Sequence, residues 1–179
     1  MRNVSHVMNL PDAWAWASVS DLLRAIETGK SFKCEERPPL ASEVGIVKVS
    51  AVSWGEYREQ ESKTCMNEDC VKPSLFIQPG DFLFSRANTQ ELVGACVIAK
   101  RTHLRVMLSD KILRFRFADD TMKAWLLGFL RSADGRAQIE SLASGNQDSM
   151  RNIGQERIGQ IQVPLPPTAE QTRIIAKLE

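Results

Sequence analysis

Gly80–Ala99 reads GDFLFSRANTQELVGACVIA. Pro79-Gly80 marks a tight turn ahead of it. Asp81–Ser85 (DFLFS) has the composition of a short buried strand. Leu92–Ala99 (LVGACVIA) reads as a second, with Gly94 allowing close approach of a neighbour. Between them stand Arg86, Asn88 and Thr89, in a polar loop anchored at both ends. The pattern predicts a β-framework that presents a loop of hydrogen-bonding side chains.

Working outward, VMLS (106–109) and ILRFRF (112–117) are further strands. In the second, strict alternation puts Phe115 and Phe117 inward and Arg114 and Arg116 outward. Asp119 or Asp120 caps a helix over Thr121–Arg131, with Trp125, Leu126, Phe129 and Leu130 as its packed face. SADGRAQIESLASG gives a second helix closed near Gly145, followed by the polar loop NQDSMRNI (146–153). IGQIQVPLPP (158–167) is a last strand that leaves the domain. Thr168 and Gln171 have capping-box spacing for a terminal helix. Its apolar stripe, Ile174, Ile175 and Leu178, has no evident partner in the chain.

Upstream, Trp14, Trp16 and Val19 alternate as in a half-buried strand, and Ser20 caps a helix Asp21–Thr28 that Gly29 ends. Pro38-Pro39 forbids regular structure, and a β-type run surrounds Ile46–Val49. Residues 53–73 have no clear period and read as a long charged excursion. The fold class is α+β: a multi-stranded, mostly antiparallel twisted sheet with short helices, and a helix leaving the end.

The 179 residues fit one medium domain with an appendage. The longest apolar run, Leu92–Ala99, is far short of the ~20 residues needed to span a bilayer. The first thirty residues lack a signal-peptide pattern, so the expected location is cytoplasmic, with no membrane contact. The four cysteines (34, 65, 70, 96) read as free thiols. Cys65 and Cys70 have the spacing of half a zinc site, but neither CxxC nor HxxxH completes it. Net charge is +1, yet residues 100–136 carry nine Lys/Arg against four Asp, and residues 56–69 carry two against five acidic groups. A neutral chain with one basic stretch can still present a basic face.

Several chemistries are disfavoured. There is no glycine-rich turn for a SAM methyltransferase, no complete P-loop around ETGKSF, and no nucleophile elbow. Asp12, Glu61 and Lys63 imitate a PD…ExK site, so a Mg-dependent nuclease is the alternative enzymatic reading. Glu61 lies in the charged excursion rather than on a clear strand, which weakens it. No catalytic residue and no metal ligand is assigned. Binding is favoured instead. Arg pairs with guanine and Asn or Gln with adenine on the major-groove edge. Arg86, Asn88 and Thr89 are the leading candidates, followed by Asn146, Gln147, Arg151 and Asn152 in the second loop. Ser53, Trp54, Tyr57, Arg58 and Lys63 mix aromatic and charged groups in the excursion.

These blocks resemble, in order, those of specificity (S) subunits of type I restriction–modification systems. GDFLFSRANTQELVG is similar to their GD-L-x-S-R-x-N-S-x-E-L-V-G, and LPDAWAW (10–16) to the LP-x-x-W-x-W that opens a target recognition domain. ILRFRF resembles a matching strand. Residues 140–179 resemble the closing S-x-x-x-Q-x-N-I…I-x-V-P-L-P-P-x-x-E-Q-x-R-I. Ala95 stands where the family often has a basic or polar residue, and 55–73 matches no motif, as suits a segment that varies with target.

The resemblance implies a non-enzymatic subunit that reads one half of a bipartite double-stranded DNA site. It implies methyltransferase (M) and restriction (R) subunits as partners, which would use the SAM, Mg and ATP. A third reading is an assembly subunit that never touches DNA. Residues 1–163 would be the target recognition domain, and 164–179 a proline strap with the start of a spacer helix. Thr168–Glu179 would span ~18 Å, against ~34 Å for one DNA turn. A half-length or truncated subunit is therefore expected, able to pair with a second copy or a second recognition domain through Ile174, Ile175 and Leu178.

Overall fold

Asp81–Ala99 lies at the centre of the molecule. The computed structural model describes residues 10–145 and 150–178. Its first half contains β1 (Ala15–Ser18), α1 (Val19–Leu22), β2 (Leu23–Thr28), β3 (Cys34–Glu35), β4 (Gly45–Val47), β5 (Ser62–Cys65), β6 (Phe82–Ser85) and β7 (Ala87–Asn88). There follow β8 (Cys96–Ile98), β9 (Val106–Met107), β10 (Ile112–Phe117), α2 (Met122–Arg131) and α3 (Ala133–Leu142). The chain closes with β11 (Arg151–Asn152), α4 (Gln155–Gly159), β12 (Gln162–Leu165) and α5 (Thr168–Leu178).

Four antiparallel strands in the order β2-β10-β6-β8 form the principal sheet. A second sheet, β3-β5-β4-β9, is antiparallel except for its β4–β9 pair. Two short ribbons, β1–β12 and β7–β11, complete the set. The expected α+β class with mostly antiparallel strands is what forms.

Pleating sorts the apolar side chains of the principal sheet onto two faces. Phe82, Phe84, Cys96, Leu113, Phe115 and Phe117 face the helices, meeting Trp125, Leu126 and Leu130 of α2 and Ile139 of α3. Phe115 stacks on Phe82 and Phe84 at centroid separations of 5.3 and 5.2 Å. Leu83, Val97 and Ile112 face the other way, against Val47, Val52, Ile77 and Leu108 from the side of the second sheet. The sheet is thus covered on both faces. Gly94, at φ +80°, is needed because a Cβ there would come within 2.6 Å of Ile139.

That double coverage overturns one expectation. Arg116 is exposed, but Arg114 is 1% exposed. Alternation does send it to the face opposite the phenylalanines, yet that face is not solvent. There its guanidinium donates to Glu27 (2.6 Å), Asp81 (2.9 Å) and the carbonyls of Phe76 (2.8 Å) and Ser74 (2.6 Å). Every hydrogen-bonding direction of the buried fork is used, the condition under which a charge can be buried.

The helix expected over Asp21–Thr28 is also corrected. Only Val19–Leu22 is helical, one turn in a capping box where Ser18 accepts from the Asp21 N–H and Asp21 accepts from the Ser18 N–H. From Leu23 onward the chain is β2, paired with β10 so that Glu27 lies opposite Arg114. A helical period over eight residues is too short to outweigh a full edge of sheet hydrogen bonds. Gly29 serves not as a helix stop but as a close approach: a Cβ there would lie 1.8 Å from the Leu108 carbonyl oxygen.

The excursion is not a plain loop either, since β5 at its middle lies between β3 and β4. Glu59 latches it down, accepting from the backbone N–H groups of His103 (2.7 Å) and Leu104 (3.0 Å) and pairing with the His103 ring (2.9 Å). Burial works to raise the Glu59 pKa, but these donors hold it below its ordinary value.

Helix α2 forms as expected, but its N-cap is Thr121, which makes no side-chain cap bond; the Asp119 carboxylate ahead of it accepts from the Thr121 N–H (2.9 Å) and hydroxyl (2.8 Å). The last strand is shorter than read, because Gln155–Gly159 winds into α4 around the buried Ile158. Thr168 lies inside α5, so it cannot be its N-cap. The Glu170 and Gln171 N–H groups bond Pro167, and the buried Gln171 side chain donates to the Pro166 carbonyl at 2.9 Å. The stripe on α5 has a partner after all: Ile174 and Ile175 are half-buried against the main core. Trp14 reinforces the docking, donating to Glu170 at 3.1 Å and packing edge-on against Trp125.

Candidate nucleic-acid interface

The principal sheet gathers several strand ends at one edge. The end of β6 (Ser85) pairs with the start of β10 (Ile112), and Leu113 pairs with the end of β2 (Thr28). The Arg86 N–H donates to the Lys111 carbonyl (3.0 Å), and the Ile153 N–H to the Arg86 carbonyl (2.9 Å). Ribbon β7–β11 sets Asn88 opposite Arg151 and Ala87 opposite Asn152. Two polar loops far apart in sequence are thereby zipped into one rim.

The side chains on that rim have unequal freedom. Arg86 is half-exposed and donates from Nε to Asn152 Oδ1 at 3.3 Å, its one side-chain hydrogen bond among the described residues. Its Nη edge has no hydrogen-bond partner among the described residues. Asn88 is turned onto its own loop, accepting from the Thr89 N–H (2.9 Å) and donating to Ser85 Oγ (3.4 Å). The Thr89 carbonyl receives the Leu92 and Val93 N–H groups. Arg151 is spent on structure, its guanidinium reaching the carbonyls of Glu140 (3.2 Å), Ala143 (2.9 Å) and Gly145 (2.9 Å) at the end of α3, where a cation suits the helix dipole. Asn146 and Gln147 lie outside the described residues.

In the excursion, Trp54 is 38% exposed but tied down. Its indole donates to the Glu91 carbonyl (3.1 Å), and the Arg136 guanidinium covers its ring at 4.8 Å. Ser53 accepts from Arg58 at 3.3 Å. Tyr57 is half-buried, and burial raises its pKa. Lys63 bonds Glu36. The basic stretch of the sequence is likewise mostly committed. Arg114 is buried, Arg116 pairs with Glu27 (3.1 Å), Lys123 donates to Gly80, and Arg131 and Arg136 cap carbonyls of the loops beside them.

A different set of cations meets beside the rim. A pocket of about 350 Å³ between the two sheets is lined by Lys48, just past β4, Lys63 on β5 and Lys111, just before β10, with Phe32 at 36% exposure. Lys48 and Phe32 escaped the reading of the sequence, and Lys111 entered it only as one of the nine cations of the basic stretch. The only signal was a lysine flanking a strand, which is common at sheet ends. A larger open groove of about 690 Å³ lies elsewhere, between β2 and α4, with Arg24 and Glu156 on its walls.

The nuclease set is not brought together. Glu61 accepts from the Ser50 hydroxyl at 2.5 Å, Lys63 is paired with Glu36, and Asp12 lies ahead of β1. Among the described residues no group of three His, Cys, Asp or Glu is arranged to hold a metal. The cysteines are free thiols; Cys34 and Cys65 face each other across β3–β5, and burial pushes the Cys96 thiol up to about 12. No helix among the described residues is long and apolar enough to cross a membrane.

No family model matches the chain. It is 33% identical over 172 residues to the specificity subunit of the type I restriction enzyme EcoEI of Escherichia coli, covering 95% of this chain and 29% of that one. To the EcoKI specificity subunit of E. coli K12 it is 27% identical over 164 residues, covering 88% and 34%. Among solved structures, the S subunit of a type I restriction–modification system from M. genitalium superposes with a TM-score of 0.60 at 14% identity, covering 99% of this chain and 40% of that one. The HsdS subunit from Thermoanaerobacter tengcongensis gives 0.59 at 18% identity, covering 97% and 38%. A chain from a study of complex assembly in the type I R-M system gives 0.63 at 21% identity, covering 97% and 39%. The fold is therefore that of type I S subunits. The chain is similar to type I restriction enzyme specificity subunits over nearly its whole length and spans about a third of the length of the curated relatives it matches.

Proposed function

We propose that this chain is a non-catalytic DNA-reading domain that recognises one half of a bipartite site for a type I restriction–modification complex. The observation that carries the reading is the match to a specificity subunit over 95% of the chain, coinciding with a rim that holds an open arginine fork. Methylation of adenine and cleavage would be performed by M and R partner subunits, with SAM, Mg and ATP bound there and the whole complex cytoplasmic. Arg86 is the leading base-reading residue. Asn88, Thr89, Ser53, Trp54 and Arg151 serve by shaping the loops around it, as their internal hydrogen bonds support. Pairing with a second recognition domain or a second copy would use the exposed side of α5, since Ile174 and Ile175 are half-spent on the core.

The test is methylome sequencing of a host expressing the chain with its M subunit. A bipartite adenine-methylated motif that appears with this chain and changes when it is exchanged establishes the reading. A stable complex whose methylation motif ignores this chain leaves an assembly role and overturns it.

A further inference from the structure

One carboxylate beside the rim sits where a foreign anion would. Glu36 follows β3 and its side chain is 65% exposed, yet one oxygen lies 3.5 Å from Lys48 Nζ and the other bonds Lys63. The two lysines are brought together by the sheet. Lys63 is on β5 opposite Ile46 of β4, and Lys48 directly follows β4. Ammonium groups fixed side by side repel unless an anion lies between them. Lys111 lines the same pocket from the principal sheet, so three lysines face one carboxylate and positive charge is left over. Buried Ile46 and Val47 form an apolar wall, which concentrates that field.

We propose that this pocket binds a backbone phosphate of duplex DNA, and that Glu36 keeps the phosphate's place until DNA displaces it. The proposal rests on the DNA-reading function above and adds the residues that seat the duplex. Glu36 can yield because exposed ion pairs contribute little. Its neighbours stay fixed while it moves: Arg37 holds Glu35 at 2.8 Å and Glu43 at 2.6 Å, so only the Glu36 side chain has to swing out. The incoming phosphate releases its counterions, a gain that the carboxylate does not provide. Position fits as well. The Lys111 carbonyl receives the Arg86 N–H, so the phosphate seat and the base-reading fork share one backbone joint. Phosphate contacts set register and base contacts set sequence.

The experiment compares wild type, Glu36→Gln, Lys48→Ala, Lys63→Ala and Arg86→Ala, each assembled with the M subunits. Affinity is measured for the methylated motif's duplex and for a random duplex across a salt series. Glu36→Gln should bind both duplexes several-fold more tightly, a gain that misfolding cannot imitate. Each lysine variant should weaken both alike and reduce the salt slope by about 1. Unchanged or weaker binding by Glu36→Gln overturns the proposal. If Arg86→Ala alters target choice while the other three variants leave both affinities unchanged, the pocket fails and the DNA-reading function stands. If no duplex is preferred even by wild type, that function fails, and the random duplex still tests the pocket. Inorganic phosphate is titrated into the DNA-free complex as a further arm. Phosphate that binds in a Lys63-dependent way without weakening DNA binding assigns the pocket to a small phosphate compound and overturns the DNA seat.

Discussion

Two clusters in this protein are built from the same chemistry and do different work. Around Arg114, one guanidinium meets Glu27, Asp81 and two carbonyls at 1% exposure. Around Glu36, Lys48 and Lys63 meet one carboxylate at the mouth of an open pocket. In the first, the guanidinium and Asp81 are buried, Glu27 is partly so, and each partner is fixed by a strand or by the turn that covers it, so the charges hold the fold. In the second, solvent screens the pair and any member can exchange partners. Burial, not residue type, separates a structural cation from one available to a ligand. The Glu27 carboxyl shows the first case in its titration: burial works against its charge, and Arg116 and Arg114 more than offset it, leaving its pKa lowered.

The sharpest way to break the comparison is Arg114→Ala. It leaves the buried Asp81 with only the Gln78 N–H and Arg116 at 3.4 Å, and should cost about 3–5 kcal/mol in equilibrium denaturation. A loss below ~1 kcal/mol, the size of an exposed pair, would show that the two clusters do not differ. Glu59→Ala sits between them, because it frees two backbone N–H groups that His103 exposes partly to water. It should cost ~1–2 kcal/mol and raise hydrogen exchange at residues 103 and 104 first. Arg86→Ala should leave the melting temperature alone but remove ~1–3 kcal/mol from target binding and less from random DNA. Equal losses on both duplexes would turn Arg86 into a phosphate contact.

The smallest effect concerns the segment after β3 that carries Glu36. Arg37, with the Leu40 N–H, holds the Glu43 carboxyl at a pKa of about 2, well below its ordinary value of 4.5. A depressed carboxylate stabilises above its unfolded pKa, so this contact is intact above about 4.5 and lost as pH falls towards 2. Side-chain carboxyl shifts followed by NMR should show Glu43 titrating well below the ordinary carboxylate range, with little change in global stability. A Glu43 midpoint near the ordinary carboxylate value would mean that this segment is not clamped.

Much of the scaffold was legible in the sequence because its signals are local. DFLFS, ILRFRF and the α2 face are short runs whose period and composition need no distant partner to be read. The ordered motifs likewise pointed to the specificity subunits that the homology then showed. Reading failed where a distant partner decides. Asp21–Thr28 has a helical pattern, but β10 claims it as an edge, with Glu27 set against Arg114. The excursion hid β5 because its partners, β3 and β4, lie well upstream of it, one on each side of Pro38-Pro39. Arg151 and Trp54 looked like free recognition side chains, and only the packed structure shows them bonded to the end of α3 and to Glu91.

By itself, then, the sequence determined the strand framework, the family and the loop that carries Arg86, since each is written in contiguous residues. Which charges are buried, which are spent on carbonyls and which meet across a pocket was decided by tertiary structure alone. Burial and pairing depend on what lies on the far face of a sheet, and alternation along a strand says which face a side chain takes, not what covers it.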